Sequence, residues 1–216
     1  MHTPVVVALV AGLLGLGAGV VLRARLAAGH HRYPDDPPAH RHAWVVPGTG
    51  IACSAVAYGL ADWAWPVLVT AAVAAAIGVL LAAIDLEVHR LPRVITWPCY
   101  PVLAVLLTIC SWAARDWPAL GRAALGGLAA WAVYYLLHRL AGRRSLGRGD
   151  VTLAGLIGML LGWFGWTPLG LASYLAFLLA GVVAGALLLL RRVGRKDRIA
   201  FGPAMIAAAL IVLALQ

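Results

Sequence analysis

Charge is what this sequence has little of: 12% of its 216 residues are Asp, Glu, Lys or Arg, about half the share of an average soluble chain. With 63% hydrophobic residues and a mean hydropathy of +0.91, a soluble globular domain is excluded. Cysteine is scarce too. Cys53, Cys99 and Cys110 lie in or beside apolar runs without Cys-x-x-Cys spacing, so they read as small hydrophobes rather than disulfide or zinc ligands. A solvated basic patch is also missing. The net charge is +9, but the cations sit between hydrophobic runs, which marks them as topogenic signals and argues against nucleic acid as a partner. The first apolar run, residues 4–22, has Arg23 and Arg25 after it rather than before it. That order is the reverse of a cleaved secretory signal, and a retained first span is expected.

What the sequence does have is length enough for several membrane spans of about 20 residues each. Eight apolar runs stand out, near 4–22, 44–60, 65–84, 95–113, 119–138, 151–167, 169–190 and 200–215. The fold class expected is all-α, a polytopic membrane helix bundle of about eight transmembrane helices, embedded in lipid as one domain over residues 1–216. Small residues recur at helix-packing spacing, and Gly181-x-x-x-Gly185 predicts close packing inside the bundle. The loops alternate in charge. Arg23, Arg25, Arg32 and Arg41 lie in the first, Arg90 and Arg93 in the third, and Arg139, Arg143, Arg144 and Arg148 in the fifth. Arg191, Arg192, Arg195, Lys196 and Arg198 lie in the seventh, leaving Arg115 and Arg122 for the opposite side. The positive-inside rule makes the odd loops cytoplasmic and puts both termini outside a multi-pass inner (plasma) membrane protein. The first loop, residues 23–43, contains His30, His31, His40, His42, Asp35 and Asp36. Such a tract suits metal binding, but a polar, proline-stiffened loop accounts for it, and no metal or cofactor is expected.

Two acids then carry the chemistry. Asp150 separates the loop glycines Gly147 and Gly149 from the run beginning Val151-Thr152-Leu153, and Asp85 follows the run ending Leu80-Leu81-Ala82-Ala83-Ile84. Taken alone, Asp150 is an ordinary helix N-cap, and Asp85 is a boundary residue facing water beside Glu87 and Arg90. Taken together they open the third loop and close the fifth, on the same cytoplasmic face, as an aspartyl protease requires. Neighbouring carboxylates share one proton. The ionised one deprotonates a water that attacks a peptide carbonyl, and the protonated one assists the reacting oxygen and leaving amine. Glycines beside Asp150 let a peptide backbone approach. A helix N-terminus at Asp150 and a helix C-terminus at Asp85 predict Asp150 as the resting base and Asp85 as the proton holder. Asp62 and Asp116, beside Trp63 and Trp117, fall on the other side as interfacial loop residues. The alternative class is a proton- or cation-coupled transporter using the same acids. That reading predicts inverted repeats and midplane carboxylates, whereas these acids sit at loop boundaries and no convincing repeat is visible.

At these residues the chain resembles the type IV prepilin peptidase family, membrane aspartyl proteases of the GxGD type. The segment Leu146-Gly147-Arg148-Gly149-Asp150-Val151-Thr152-Leu153 with Leu160-Leu161-Gly162-Trp163 is similar to the family's second motif. Asp85-Leu86-Glu87 through Leu91-Pro92-Arg93-Val94-Ile95-Thr96 resembles the first, with Pro92 seven residues after the Asp. Phe201-Gly202-Pro203-Ala204-Met205 resembles the C-terminal Phe-Gly-Pro segment. The likeness covers roughly residues 65–215. It implies Asp85 and Asp150 as the catalytic pair, with Gly147, Gly149, Pro92, Phe201, Gly202 and Pro203 as motif support or substrate contacts. It also implies a prepilin or pseudopilin substrate, with a basic leader and a hydrophobic helix, cleaved at the cytoplasmic membrane face. The family often has Lys where Thr152 stands and Asp where Arg93 stands. Its bifunctional members carry a Cys-x-x-Cys domain in the first loop, associated with N-methylation. This first loop has about 20 residues and no cysteine, which predicts a peptidase without that module.

Overall fold

A backbone inside a bilayer must satisfy its polar groups within the segment, so each apolar run is expected to coil as a helix. The computed structural model describes residues 3–29, 32, 42–89, 91, 93–141, 147–190 and 200–216. Among them are eight helices and no strand: α1 (Thr3–Ala27), α2 (Val45–Gly59), α3 (Trp65–Val88), α4 (Arg93–Ala114), α5 (Trp117–Ala141), α6 (Arg148–Phe164), α7 (Trp166–Leu189) and α8 (Gly202–Ala214). Five of these, α1, α3, α4, α5 and α7, are long and apolar enough to cross a membrane by length and composition. The shortest, α8, is 13 residues long and packs against α2, α3, α6 and α7. Its buried residues include Met205, Ile206, Ala208, Ala209, Val212 and Leu213. A short helix can sit deep in a bundle because its neighbours, rather than lipid, surround it.

Glycine sets how closely the helices approach. At the α5–α6 crossing a Cβ on Gly126 would lie 2.7 Å from the Gly158 carbonyl oxygen, so any larger residue forces the two backbones apart. Gly127 with Gly155 and Met159, and Gly162 with Arg122, extend the same seam. Gly19 against Val46 does the equivalent between α1 and α2. With lipid on the outside, this van der Waals fit rather than water exclusion holds helices together. The packing expected at Gly181 and Gly185 is not made. Space beside both positions is open, since that stretch of α7 faces away from its neighbours.

Polar side chains fix several ends. Asp116 accepts the Ala119 N–H at 3.0 Å at the start of α5, and Arg122 Nη2 donates to it at 3.2 Å. Buried Trp163 donates through Nε1 to Ser111 Oγ at 2.8 Å, tying α6 to α4. Two helix ends differ from expectation. α3 runs on through Val88 until His89, at φ 50°, takes the left-handed conformation and donates its N–H to the Asp85 carbonyl. Asp85 therefore lies inside the last turn of α3 rather than in a loop. Likewise α6 starts at Arg148 with Gly147 as its extended N-cap, so Asp150 is the third residue of the helix and not the cap.

Candidate active site

Asp85 is 5% exposed, so it does not face water as a plain boundary residue would. Its Oδ2 accepts the backbone N–H of Gly202 at 3.1 Å. Gly202 opens α8, and a Cβ there would come 2.7 Å from that same carboxylate oxygen. Only glycine lets the helix start approach so closely. Pro203 follows in the first turn of α8, where a missing N–H is not needed. Phe201 holds this start in place by packing on Phe177 of α7, with ring centroids 5.2 Å apart, and on Tyr134 of α5 at 6.2 Å.

Asp150 is held by the start of its own helix. Its Oδ2 accepts the Gly147 N–H at 2.9 Å, a reach back across the first turn of α6. Gly149 abuts Leu91, just past α3: a Cβ at Gly149 would lie 2.8 Å from that of Leu91. This contact seats the first turn of α6 against the segment that follows Asp85. Tyr100 adds a second tie from α4, donating its hydroxyl to the Thr152 carbonyl at 2.7 Å. Thr152 itself turns its hydroxyl onto the Arg148 carbonyl at 3.2 Å, within its own helix.

Asp150 stands in the polar first turn, ahead of the apolar part of α6. Burial pushes its pKa up to about 6, with the Gly147 N–H pulling the other way, the Asp85 carboxylate raising it and His138 lowering it. The two aspartates, 65 positions apart in sequence, are thus within electrostatic reach of each other. Neither is in an ion pair among the described residues. The helix-end argument for which one holds the proton does not survive. Asp85 ends α3 but also receives an N–H from the start of α8, so both acids sit at helix N-termini, and both termini favour the charged form.

The candidate residues separate cleanly in space. Asp85, Asp150, Gly147, Gly149, Phe201, Gly202 and Pro203 converge at one end of the bundle, while Pro92 lies outside the described residues. So do His30, His31, Asp35, Asp36 and His40 of the first loop. No His, Cys, Asp and Glu group suited to a metal occurs among the described residues. Sequence reasoning missed a second acid. Glu87, treated as a solvated neighbour, is 3% exposed. It pairs with Arg32, and its Oε2 lies 3.1 Å from His42 Nε2. That cluster fastens the first loop to the end of α3. It also missed Tyr134, buried on α5 and sensing the charge of Asp150.

With this geometry in place, the comparison with known proteins is direct. The sequence profile described as the type IV leader peptidase family matches residues 72–190, which span both aspartates. This chain belongs to the type IV leader peptidase family. Among its relatives is the prepilin leader peptidase/N-methyltransferase of Stutzerimonas stutzeri, 27% identical over 62% of this chain and 45% of that protein. The same-named protein of Pseudomonas aeruginosa is 29% identical over 62% of this chain and 44% of its own length. That of Xanthomonas campestris pv. campestris is 29% identical over 85% of this chain and 62% of its length. The chain spans about half the length of the first two. No solved structure matches it.

Proposed function

We propose that this leader peptidase family member is a membrane aspartyl endopeptidase that removes the leader of prepilins or pilin-like precursors, with Asp85 and Asp150 as its catalytic pair. The observation that carries the reading is the pairing itself: two carboxylates from distant helices brought within electrostatic reach, each held by one backbone N–H and neither paired with a cation among the described residues. Such a pair binds one proton between its members. The ionised member takes a proton from water as the water oxygen attacks the scissile carbonyl carbon. The protonated member hydrogen-bonds to the carbonyl oxygen, and a proton then passes to the leaving amine as the C–N bond breaks. The pKa values that govern turnover belong to the pair.

An apolar cleft lies between α3, α4, α6 and α8, lined by Ile77, Leu81, Leu103, Leu153, Ile157 and Ile206. Leu81 lies one turn before Asp85 and Leu153 three residues after Asp150, so the cleft has lining residues within about a turn of each acid. It suits the hydrophobic helix of a pilin-like substrate, with the basic leader left outside. The basic loops make the dyad end cytoplasmic and both termini external, in an inner (plasma) membrane, with residues 1–216 acting as one unit. The first loop's lack of cysteine supports a peptidase without the methyltransferase module.

Co-expression with a pilin-like precursor tests the reading. Wild type is expected to shorten the precursor, and Asp85→Ala and Asp150→Ala at matched membrane levels are expected to leave it whole. Full cleavage by either variant would remove the dyad. A methylated product formed by purified protein with S-adenosylmethionine would remove the claim of a peptidase alone.

A further inference from the structure

The α5–α6 seam has a consequence at the dyad. Gly126 faces Gly158 across it, and the helices run antiparallel. Moving along the chain from Gly126 to Tyr134, and back by the same number of residues from Gly158, reaches Asp150. The seam therefore brings Tyr134 level with Asp150, and His138 one turn further along α5; the Asp150 charge acts on Tyr134, and His138 acts on Asp150. Tyr134 is 3% exposed. Its ring is fixed by Phe177, with centroids 5.7 Å apart, and by Phe201 at 6.2 Å. Phe201 in turn precedes Gly202, whose N–H holds Asp85. One side chain thus touches the support of the first aspartate and stands beside the second. No hydrogen bond to its hydroxyl occurs among the described residues, where no fully buried side-chain polar atom lacks a partner, so this hydroxyl keeps some solvent access. A rigid, buried ring whose hydroxyl is an accessible, unused donor next to a reaction centre is suited to an incoming oxygen.

We infer that Tyr134 is a third catalytic residue, its hydroxyl donating a hydrogen bond to the carbonyl oxygen of the scissile peptide. This rests on the peptidase reading above. The donor keeps its proton throughout. As water adds to the carbonyl carbon and the C=O electron pair moves onto oxygen, the hydrogen bond shortens, and it relaxes when the carbonyl re-forms and the amine leaves. A donor aimed at developing charge acts on the transition state more than on the bound substrate.

The test compares Tyr134→Phe and Tyr135→Phe with wild type, as purified full chains in detergent, using a prepilin substrate. Tyr134→Phe keeps the ring and removes the donor; Tyr135→Phe makes the same change one position along α5, on a side chain that is 40% exposed. Tyr134→Phe is expected to lose on the order of 100-fold in kcat, with KM moving by less than about twofold. Tyr135→Phe is expected to stay within about twofold of wild type per folded molecule. A Tyr134→Phe enzyme with kcat within about twofold of wild type overturns the inference. So does a Tyr135→Phe loss as large as that of Tyr134→Phe, since loss of any α5 tyrosine hydroxyl would then explain both. Asp85→Ala and Asp150→Ala run alongside. If they cleave, the peptidase dyad itself is wrong; if they are inert while Tyr134→Phe is fully active, only the role of Tyr134 falls.

Discussion

Asp85 and Glu87 stand two residues apart in the last turn of α3, and both are buried, yet their surroundings are opposite. Glu87 meets Arg32 and His42 from the first loop. Asp85 meets a backbone N–H and the field of a second carboxylate. A buried carboxylate paired with cations is spent on holding chain segments together. A buried carboxylate set near another is left holding part of a proton and is poised to exchange it. Because successive side chains on a helix point about 100° apart, residues two positions apart face nearly opposite ways. One turn of α3 thereby serves a structural cluster on one side and a candidate reaction centre on the other.

The comparison breaks most visibly if Glu87 is neutralised. Removing one member of a buried ion pair strands the other, and Glu87→Gln is expected to cost about 3 kcal/mol, read as a lower midpoint of unfolding in detergent. Asp85→Asn leaves no cation stranded and is expected to keep the wild-type midpoint. Equal midpoints for the two variants would erase the distinction. A smaller effect is expected at the seam that carries Asp150 to its place. Gly158→Leu overpacks a crossing with no room for a side chain and is expected to cost about 2 kcal/mol, measured the same way, while Gly181→Leu, beside open space, is expected to be neutral. Matching losses would mean that the seam is not what holds α5 and α6.

Asp150 gives the comparison a pH dependence. Its pKa is raised in the folded protein from the ordinary 3.8 to about 6. A raised pKa means that the folded state binds the proton more tightly than the unfolded chain does. The resulting stabilisation is complete below about pH 4 and is lost as pH rises through about 6. Wild type is therefore expected to lose stability across that window, and Asp150→Asn to show a flatter profile. The opposite slope would refute a half-buried, neighbour-coupled Asp150. The smallest effect is expected at Thr152. Its hydroxyl serves only its own helix, so Thr152→Lys should alter the unfolding midpoint by less than about 0.5 kcal/mol; any change in cleavage would then report on substrate contacts.

Much of the bundle could be read from hydropathy, because a span must be both apolar and long. All eight runs appear as helices, in order, with ends displaced by a few residues. The displacements matter at two places. α3 continues past Ile84 because nothing stops it before left-handed His89, and α6 begins before Val151 because Gly147 caps it. Those few residues change Asp85 and Asp150 from loop acids into helix acids. The proposed pair was legible as two motif acids beside loops that carry like charge. Glu87 and its partners were not. Arg32 and His42 lie 55 and 45 positions away from it, and no periodicity encodes which loop cation folds back onto which helix. Tyr134 was hidden for a related reason. In an apolar run an aromatic reads as membrane-facing, and only the register set by Gly126 and Gly158 turns it toward Asp150.

The most direct test is cleavage per folded enzyme molecule by Asp85→Asn and Glu87→Gln, with a prepilin substrate and the folded fraction counted independently. The two substitutions make the same chemical change, carboxylate to amide, two residues apart. Asp85→Asn is expected to fall by about 1,000-fold or more, with Glu87→Gln within about fivefold of wild type once its lower folded fraction is allowed for. An Asp85→Asn enzyme that still turns over, or a Glu87→Gln loss of equal depth per folded molecule, would contradict the division of labour at the end of α3.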